Sequence, residues 1–183
     1  MVSAESMGPL VRLGMTGLMV VLSILMAFLG PGDSTRPPQH KNADRGYQIQ
    51  PPNGWSRAVI DQDGSQIAPA RQPSSGFASI IVSTRVAKGE DPLPFLEDVR
   101  RRRASGPVKE LRWGPVSRIT LLRGAPAVIA EFSEIYGGSP VRGWMVVTVS
   151  GPRLIQAVGT LPVDARPKLQ QAVRDSLRSL EPL

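Results

Sequence analysis

The chain has 183 residues, 41% of them apolar but only 5% aromatic, so Val, Ile, Leu and Ala must fill most of a core. It contains no cysteine, which excludes disulfides, thiol catalysis and cysteine-based zinc or iron–sulfur centres. A formal charge of +7 favours anionic contacts (phospholipid head groups, nucleic acid or acidic proteins), and 18 Gly with 18 Pro suit short strands joined by turns.

The first element is LGMTGLMVVLSILMAFLG, Leu13 to Gly30, with no charged side chain and with Arg12 directly before it. As a helix it would span about 27 Å, close to the hydrocarbon thickness of a bilayer. We expect a membrane segment here. The residues from Ala27 to Asp33 place small side chains poorly for a signal peptidase, which favours an uncleaved anchor over a cleaved signal. Arg36, Lys41 and Arg45 follow the span and would hold that side in the cytoplasm, but long domains translocate regardless of nearby charge. The expectation is a domain on the extracytoplasmic side, or a secreted or periplasmic one if the leader is removed.

From Pro31 the chain is polar and rich in proline as far as Arg45, which reads as a tether, with the folded domain expected over 46–183. The one histidine, His40, falls in the tether and is expected to be solvated. Tyr47 and Ile49 share a parity and predict a half-buried strand, stopped by Pro51 and Pro52, which cannot donate to a ladder. Asn53-Gly54 supplies a turn, and Trp55 restarts the chain as a plug at the core's edge. Asp61, Asp63, Gly64 and Ser65 begin like a calcium loop but lack a third ligand and a distant bidentate Glu, so a hairpin turn at Asp63-Gly64 is the preferred reading.

Phe77 to Thr84 is apolar at both parities and predicts a strand covered on both faces. Asp91 and Pro92 then open a helix whose apolar stripe is Phe95, Leu96 and Val99, stopped at Ser105-Gly106-Pro107. Two short strands are expected around Gly114-Pro115 between Val108 and Gly124, followed by strands at Pro126 to Tyr136, Gly143 to Ser150 and Arg153 to Thr160 as consecutive antiparallel partners. The run Trp144 to Val149 is apolar almost throughout and belongs inside the sheet. A final helix capped by Asp164 carries Leu169, Val173, Leu177 and Leu180 on one face, with Arg166, Lys168, Arg174 and Arg178 pointing elsewhere and Pro182 ending it. This order predicts an α+β fold, an antiparallel sheet with helices packed on its faces.

Tyr47, Ile49, Pro52, Gly54 and Trp55, standing as Y-x-I-x-x-P-x-G-W, resemble the opening of the PsbP-like superfamily. The step Gly124-Ala125-Pro126-Ala127 and the terminal Asp175-Ser176-Leu177 extend that resemblance over 45–180. It implies a PsbP-like α/β/α sandwich and a non-enzymatic accessory or binding role, and no metal-ligand motif of that family is matched.

Chemistry-bearing patterns are few. A Ser-His-Asp triad needs a histidine inside the fold, and the lysines available to a Ser-Lys pair are only Lys88, Lys109 and Lys168. Glu131 and Glu134 have opposite parity and cannot serve as a paired acid and base. The sharpest feature is Arg100, Arg101, Arg102 and Arg103. On a helix these spread round the circumference, with Glu97–Arg101 and Asp98–Arg102 pairs expected and the stem of Arg103 lying along the apolar stripe. They suit either a solvated helix end or contact with anionic lipid or an acidic protein; nucleic acid fits poorly, since stacking aromatics are scarce. Replacing all four by Gln is expected to leave the melting temperature nearly unchanged. No cofactor is expected. The functional expectation is a membrane-tethered accessory domain that binds a protein partner or aids assembly of an envelope complex. The alternative is a small-molecule or lipid carrier with its pocket between the sheet and the C-terminal helix.

Overall fold

The computed structural model describes residues 39–183 apart from 62–63, 75, 90 and 107–108. The expected membrane segment lies outside the described residues, and among them no helix is long and apolar enough to cross a membrane.

Strands β3 (Trp55–Asp61), β4 (Gly64–Pro69), β5 (Ser79–Val86), β6 (Lys109–Thr120), β7 (Pro126–Tyr136), β8 (Ser139–Ser150) and β9 (Arg153–Pro162) form one antiparallel sheet in the order β3-β4-β5-β9-β8-β7-β6. Helix α1 (Leu93–Ala104) covers one face and helix α2 (Pro167–Arg178) the other. A smaller sheet of β1 (His40–Asn42), β2 (Tyr47–Ile49) and β10 (Glu181–Pro182) lies on the α2 side.

The alternation of β8 assigns the two layers. Trp144 and Val146 join Ile155, Ala157, Val173, Leu177, Tyr47 and Ile49 in one core; Met145 and Val147 join Leu96, Val128, Ala130 and Leu154 in the other. A strand covered on both sides must be apolar at both parities, and Trp144 to Thr148 are all buried. Each fully buried leucine or isoleucine contributes about 1.5–3 kcal/mol of burial free energy. The two-sided core is therefore the main source of stability.

The residues that carry the family resemblance act as fasteners. Tyr47 and Ile49 are fully buried, Gly54 takes the left-handed conformation (φ 77°) that its turn needs, and the Trp55 amide donates to the Pro52 carbonyl at 3.0 Å. Ser176, buried in α2, donates its hydroxyl to the Gln50 carbonyl at 2.6 Å, while the hydroxyl of Ser179 accepts from the Gln50 amide at 2.8 Å. These two bonds satisfy backbone groups that Pro51 and Pro52 leave without a ladder, and they tie the end of β2 to the terminal helix.

Several expectations are corrected. The segment read as tether contains β1, which pairs with β2 in the register His40↔Ile49, so the described fold starts before Gly46. Three residues at a sheet edge are too few for a detectable period. His40 is half-buried, its ring 6.2 Å from that of Tyr47, not solvated. The expected pair of strands around Gly114-Pro115 is one strand, β6, with register shifts between Lys109 and Arg112 and between Trp113 and Val116. An edge strand tolerates a proline whose missing N–H would face away from the ladder, and a bulge absorbs the extra residue. Asp164 does not cap α2, which begins at Pro167 after Arg166, and Pro182 pairs with Tyr47 in β10. Ile81 of β5 is exposed, because α1 does not reach over that strand. Residue 63 of the expected Asp63-Gly64 turn is outside the described residues; Asp61 and Gly64 pair on either side of it, as a hairpin requires.

Candidate functional site

Helix α1 presents the four arginines in two different ways. Arg103 turns inward and its Nη2 donates to both carboxylate oxygens of Glu134 on β7, at 2.7 and 2.8 Å. The Glu134 side chain is only 5% exposed and that of Arg103 is 29% exposed. The Arg103 guanidinium also lies over the Phe132 ring, 5.0 Å from its centroid. Phe132 meets Trp113 of β6 at 5.2 Å between centroids, and Arg100 sits 5.7 Å above Trp113 while binding Glu97 at 3.1 Å. Two arginines and two aromatic rings thus form a continuous inner stack that pins the C-terminal half of α1 to the sheet.

Arg101 and Arg102 point outward, with side chains 77% and 58% exposed. Both lean on Asp98, Arg102 at 2.8 Å and Arg101 at 3.9 Å. The expected Asp98–Arg102 pair is present. The expected Glu97–Arg101 pair is not, since Glu97 binds Arg100 one turn below the inner stack. Arg103 does more than lay its stem along the apolar stripe: it neutralises a buried carboxylate supplied by another element. Sequence spacing within a helix cannot show that partner.

The start of α1 is fixed by Asp91, whose Oδ1 accepts from the Leu93 amide at 3.1 Å and from Arg118 Nη1 at 3.2 Å, while Oδ2 accepts from Arg118 Nη2 at 3.0 Å. The Arg118 hydrogen bonds, and then that from the Leu93 amide, hold the Asp91 carboxyl below the usual aspartate range. A carboxylate whose folded value is lowered stabilises the fold above its unfolded value, and that stabilisation is lost as pH falls through the lowered value. The melting temperature of Asp91→Asn should therefore lie slightly below wild type at neutral pH. The difference should close in acid, below the ordinary aspartate range. A pH-independent gap would show that the ion pair does not contribute. Both side chains are largely exposed, so the effect is small.

The two glutamates of β7 do face opposite sides of the sheet. Glu131, on the α2 side, accepts from Trp144 Nε1 at 3.2 Å and pairs with Arg142 at 3.1 Å. Arg142 continues to Gln170 of α2 at 3.3 Å, and Arg174 lies over the Trp144 ring at 5.0 Å. Arg174 thus turns onto the sheet, in contrast to its expected outward position. Lys88 and Lys168 are both exposed. Among the described residues no group of three or more His, Asp or Glu side chains could hold a metal ion. Beneath α2 the packing is close at Gly159, where an added Cβ would come within 2.5 Å of Val173 Cγ1 and 3.2 Å of Leu177 Cδ1.

An antiparallel sheet with one helix on each face, opened by a buried Tyr-x-Ile strand and closed by a helix fastened back onto it, is a PsbP-like fold. The chain is similar to the solution structure of cyanobacterial PsbP (CyanoP) from Synechocystis sp. PCC 6803, with a TM-score of 0.63 at 14% identity, covering 84% of this chain and 96% of that one. A protein of unknown function, PA94 from Pseudomonas aeruginosa, aligns with a TM-score of 0.55 at 15% identity, over 80% of this chain and 96% of its own. A protein from Bacteroides thetaiotaomicron VPI-5482 aligns at 0.56 and 9% identity over 81% of this chain, which spans about half (49%) of that protein. No family model matches the sequence, and no curated protein matches it. At these identities the likeness defines the fold.

Proposed function

We propose that this chain is a non-catalytic accessory domain, held on the extracytoplasmic side of a membrane by Leu13–Gly30, that docks an acidic protein partner on the outer face of α1. The observation that carries the reading is the division of the arginines. Arg100 and Arg103 lock the helix to the sheet, and so present Arg101 and Arg102 on a rigid outer face. Exposed cations on a fixed frame steer an anionic partner without paying ordering entropy at the moment of contact. The fold likeness to PsbP supports the same reading. So does the use of both β7 glutamates in structural ion pairs, which leaves neither available as a general base.

The test uses the full chain in its native membrane. Protease added to sealed cells should cut the domain before lysis. Crosslinking should then give a discrete adduct, reduced several-fold in an Arg101→Glu/Arg102→Glu variant whose melting temperature is unchanged, since exposed pairs with Asp98 are worth about 0–1 kcal/mol. A domain that protease reaches only after lysis, or an adduct indifferent to charge reversal, would refute the proposal.

A further inference from the structure

Along the other edge of α1, the helix stands clear of β5 and leaves a groove of about 540 Å³. Leu154 of β9 and Phe95 of α1 form its apolar lining, Arg85 of β5 and Lys88 of the following loop supply cations, and Asp98 with Arg102 borders it on the helix. Leu154 is buried and Phe95 half-buried.

The charges of the groove are unevenly committed. Asp98 is bound by Arg102 at 2.8 Å, and Asp91, also in the lining, is bound by Arg118 at 3.0 Å. Both carboxylates are thus neutralised by arginines. Among the described residues, Arg85 and Lys88 have no carboxylate partner. An open cavity within the usual ligand-site range of about 300–1,000 Å³, apolar at its base and carrying two uncommitted cations, complements an anion on a hydrophobic body.

We infer that this groove binds a small-molecule carboxylate with a hydrophobic body: the carboxylate is taken by Arg85 and Lys88, and the apolar part lies against Phe95 and Leu154. Arginine matches a carboxylate with parallel N–H donors, and a hydrogen bond between two charged groups is stronger than one between neutral groups. The site meets the docking face only at its rim, through Arg102; its two cations, Arg85 and Lys88, lie off that face. It places a ligand against α1, not under α2 where the sequence suggested one.

Phenylbutyrate is a suitable probe. The full chain in zwitterionic phosphatidylcholine nanodiscs is titrated by calorimetry, with empty nanodiscs subtracted. Saturable binding is expected, weakened roughly tenfold by Arg85→Gln and again by Lys88→Gln, as loss of a charge-assisted bond implies. Phe95→Ala should also weaken it, and Arg101→Gln should not. The neutral phenylbutanol and the cationic phenylbutylammonium should give no saturable heat. Arg85 and Lys88 are exposed, so their variants keep the fold and the test remains decisive if Phe95→Ala unfolds. No saturable heat with phenylbutyrate, equal binding of the alcohol, or unchanged binding by both charge variants would overturn the inference. So would Arg85- and Lys88-dependent binding seen only with anionic phosphatidylglycerol nanodiscs, which would make the occupant a lipid surface.

Discussion

Arg103→Ala should destabilise the domain by about 3 kcal/mol, far more than the same change at Arg101. The reason is the state in which it leaves Glu134. That carboxylate is 5% exposed, and both its oxygens accept from Arg103 Nη2. Breaking a buried ion pair by removing one partner typically costs about 3–5 kcal/mol. The lower end applies because Arg103 is itself 29% exposed. Loss of the cation above Phe132 adds a smaller term of about 0.5–1 kcal/mol. The pair need not be a net gain over hydrophobic packing. Arg103→Leu/Glu134→Leu should therefore recover most of the loss, because it removes both charges and keeps apolar volume between α1 and β7. Arg101→Ala should stay within about 0.5 kcal/mol of wild type, since its side chain is 77% exposed. Urea denaturation of the four proteins measures all of this; an Arg103→Ala loss below about 1 kcal/mol would show that Glu134 finds another donor. The same argument revises the sequence expectation that all four arginines can become Gln without thermal cost. The cost falls at Arg103.

What could be read in the sequence follows from the range of the interactions involved. Strand β8 and helix α2 are legible because the signals are local: apolar residues at both parities from Trp144 to Val149, and a four-four-three recurrence from Leu169 to Leu180. The two-faced architecture follows from those signals together with the turn residues between strands. Strand β6 is misread because Gly114-Pro115 carries a strong local turn signal, which an edge position and two bulges override. Strand β1 is missed because its three residues are polar and gain their place only by pairing with β2. The candidate sites are less legible still. The partner of Arg103 lies 31 residues away on another element, and the groove draws its lining from β5, the loop after it, α1 and β9. Lys88 was visible in the sequence only as a possible base, and Arg85 not at all, because neither stands in a motif. Their significance comes from the topology that puts β5 beside β9.

Two glycines show how closely that topology is specified, and they give the second large effect. Gly143 of β8 pairs with Phe132 of β7, and a Cβ there would overlap Phe132 Cζ and lie 2.8 Å from the Gly159 carbonyl oxygen. Gly159 of β9 faces the other way, toward Val173 and Leu177. One glycine therefore seats the aromatic stack under α1, and the other seats α2. An added methyl ordinarily gains about 0.5–1 kcal/mol in a strand by restricting the unfolded chain. At both positions overpacking, at about 1–3 kcal/mol, outweighs that gain. The two sites differ in what must yield. At Gly159 the obstacles are side chains, though Val173 is β-branched and stiff in a helix, so α2 has to lift slightly. At Gly143 one obstacle is backbone inside the sheet, which cannot move without breaking the β8–β9 ladder. Gly143→Ala should therefore cost about 3 kcal/mol and Gly159→Ala about 1–2 kcal/mol. Val173→Ala should rescue Gly159→Ala in a double-mutant cycle with a coupling of about 1 kcal/mol, whereas Phe132→Leu should rescue Gly143→Ala only in part. Urea midpoints decide the ordering. If Gly143→Ala proved as mild as Gly159→Ala, the sheet would have enough slack at β8 to shift its backbone, and the fixed seat for the arginine stack would be lost with it.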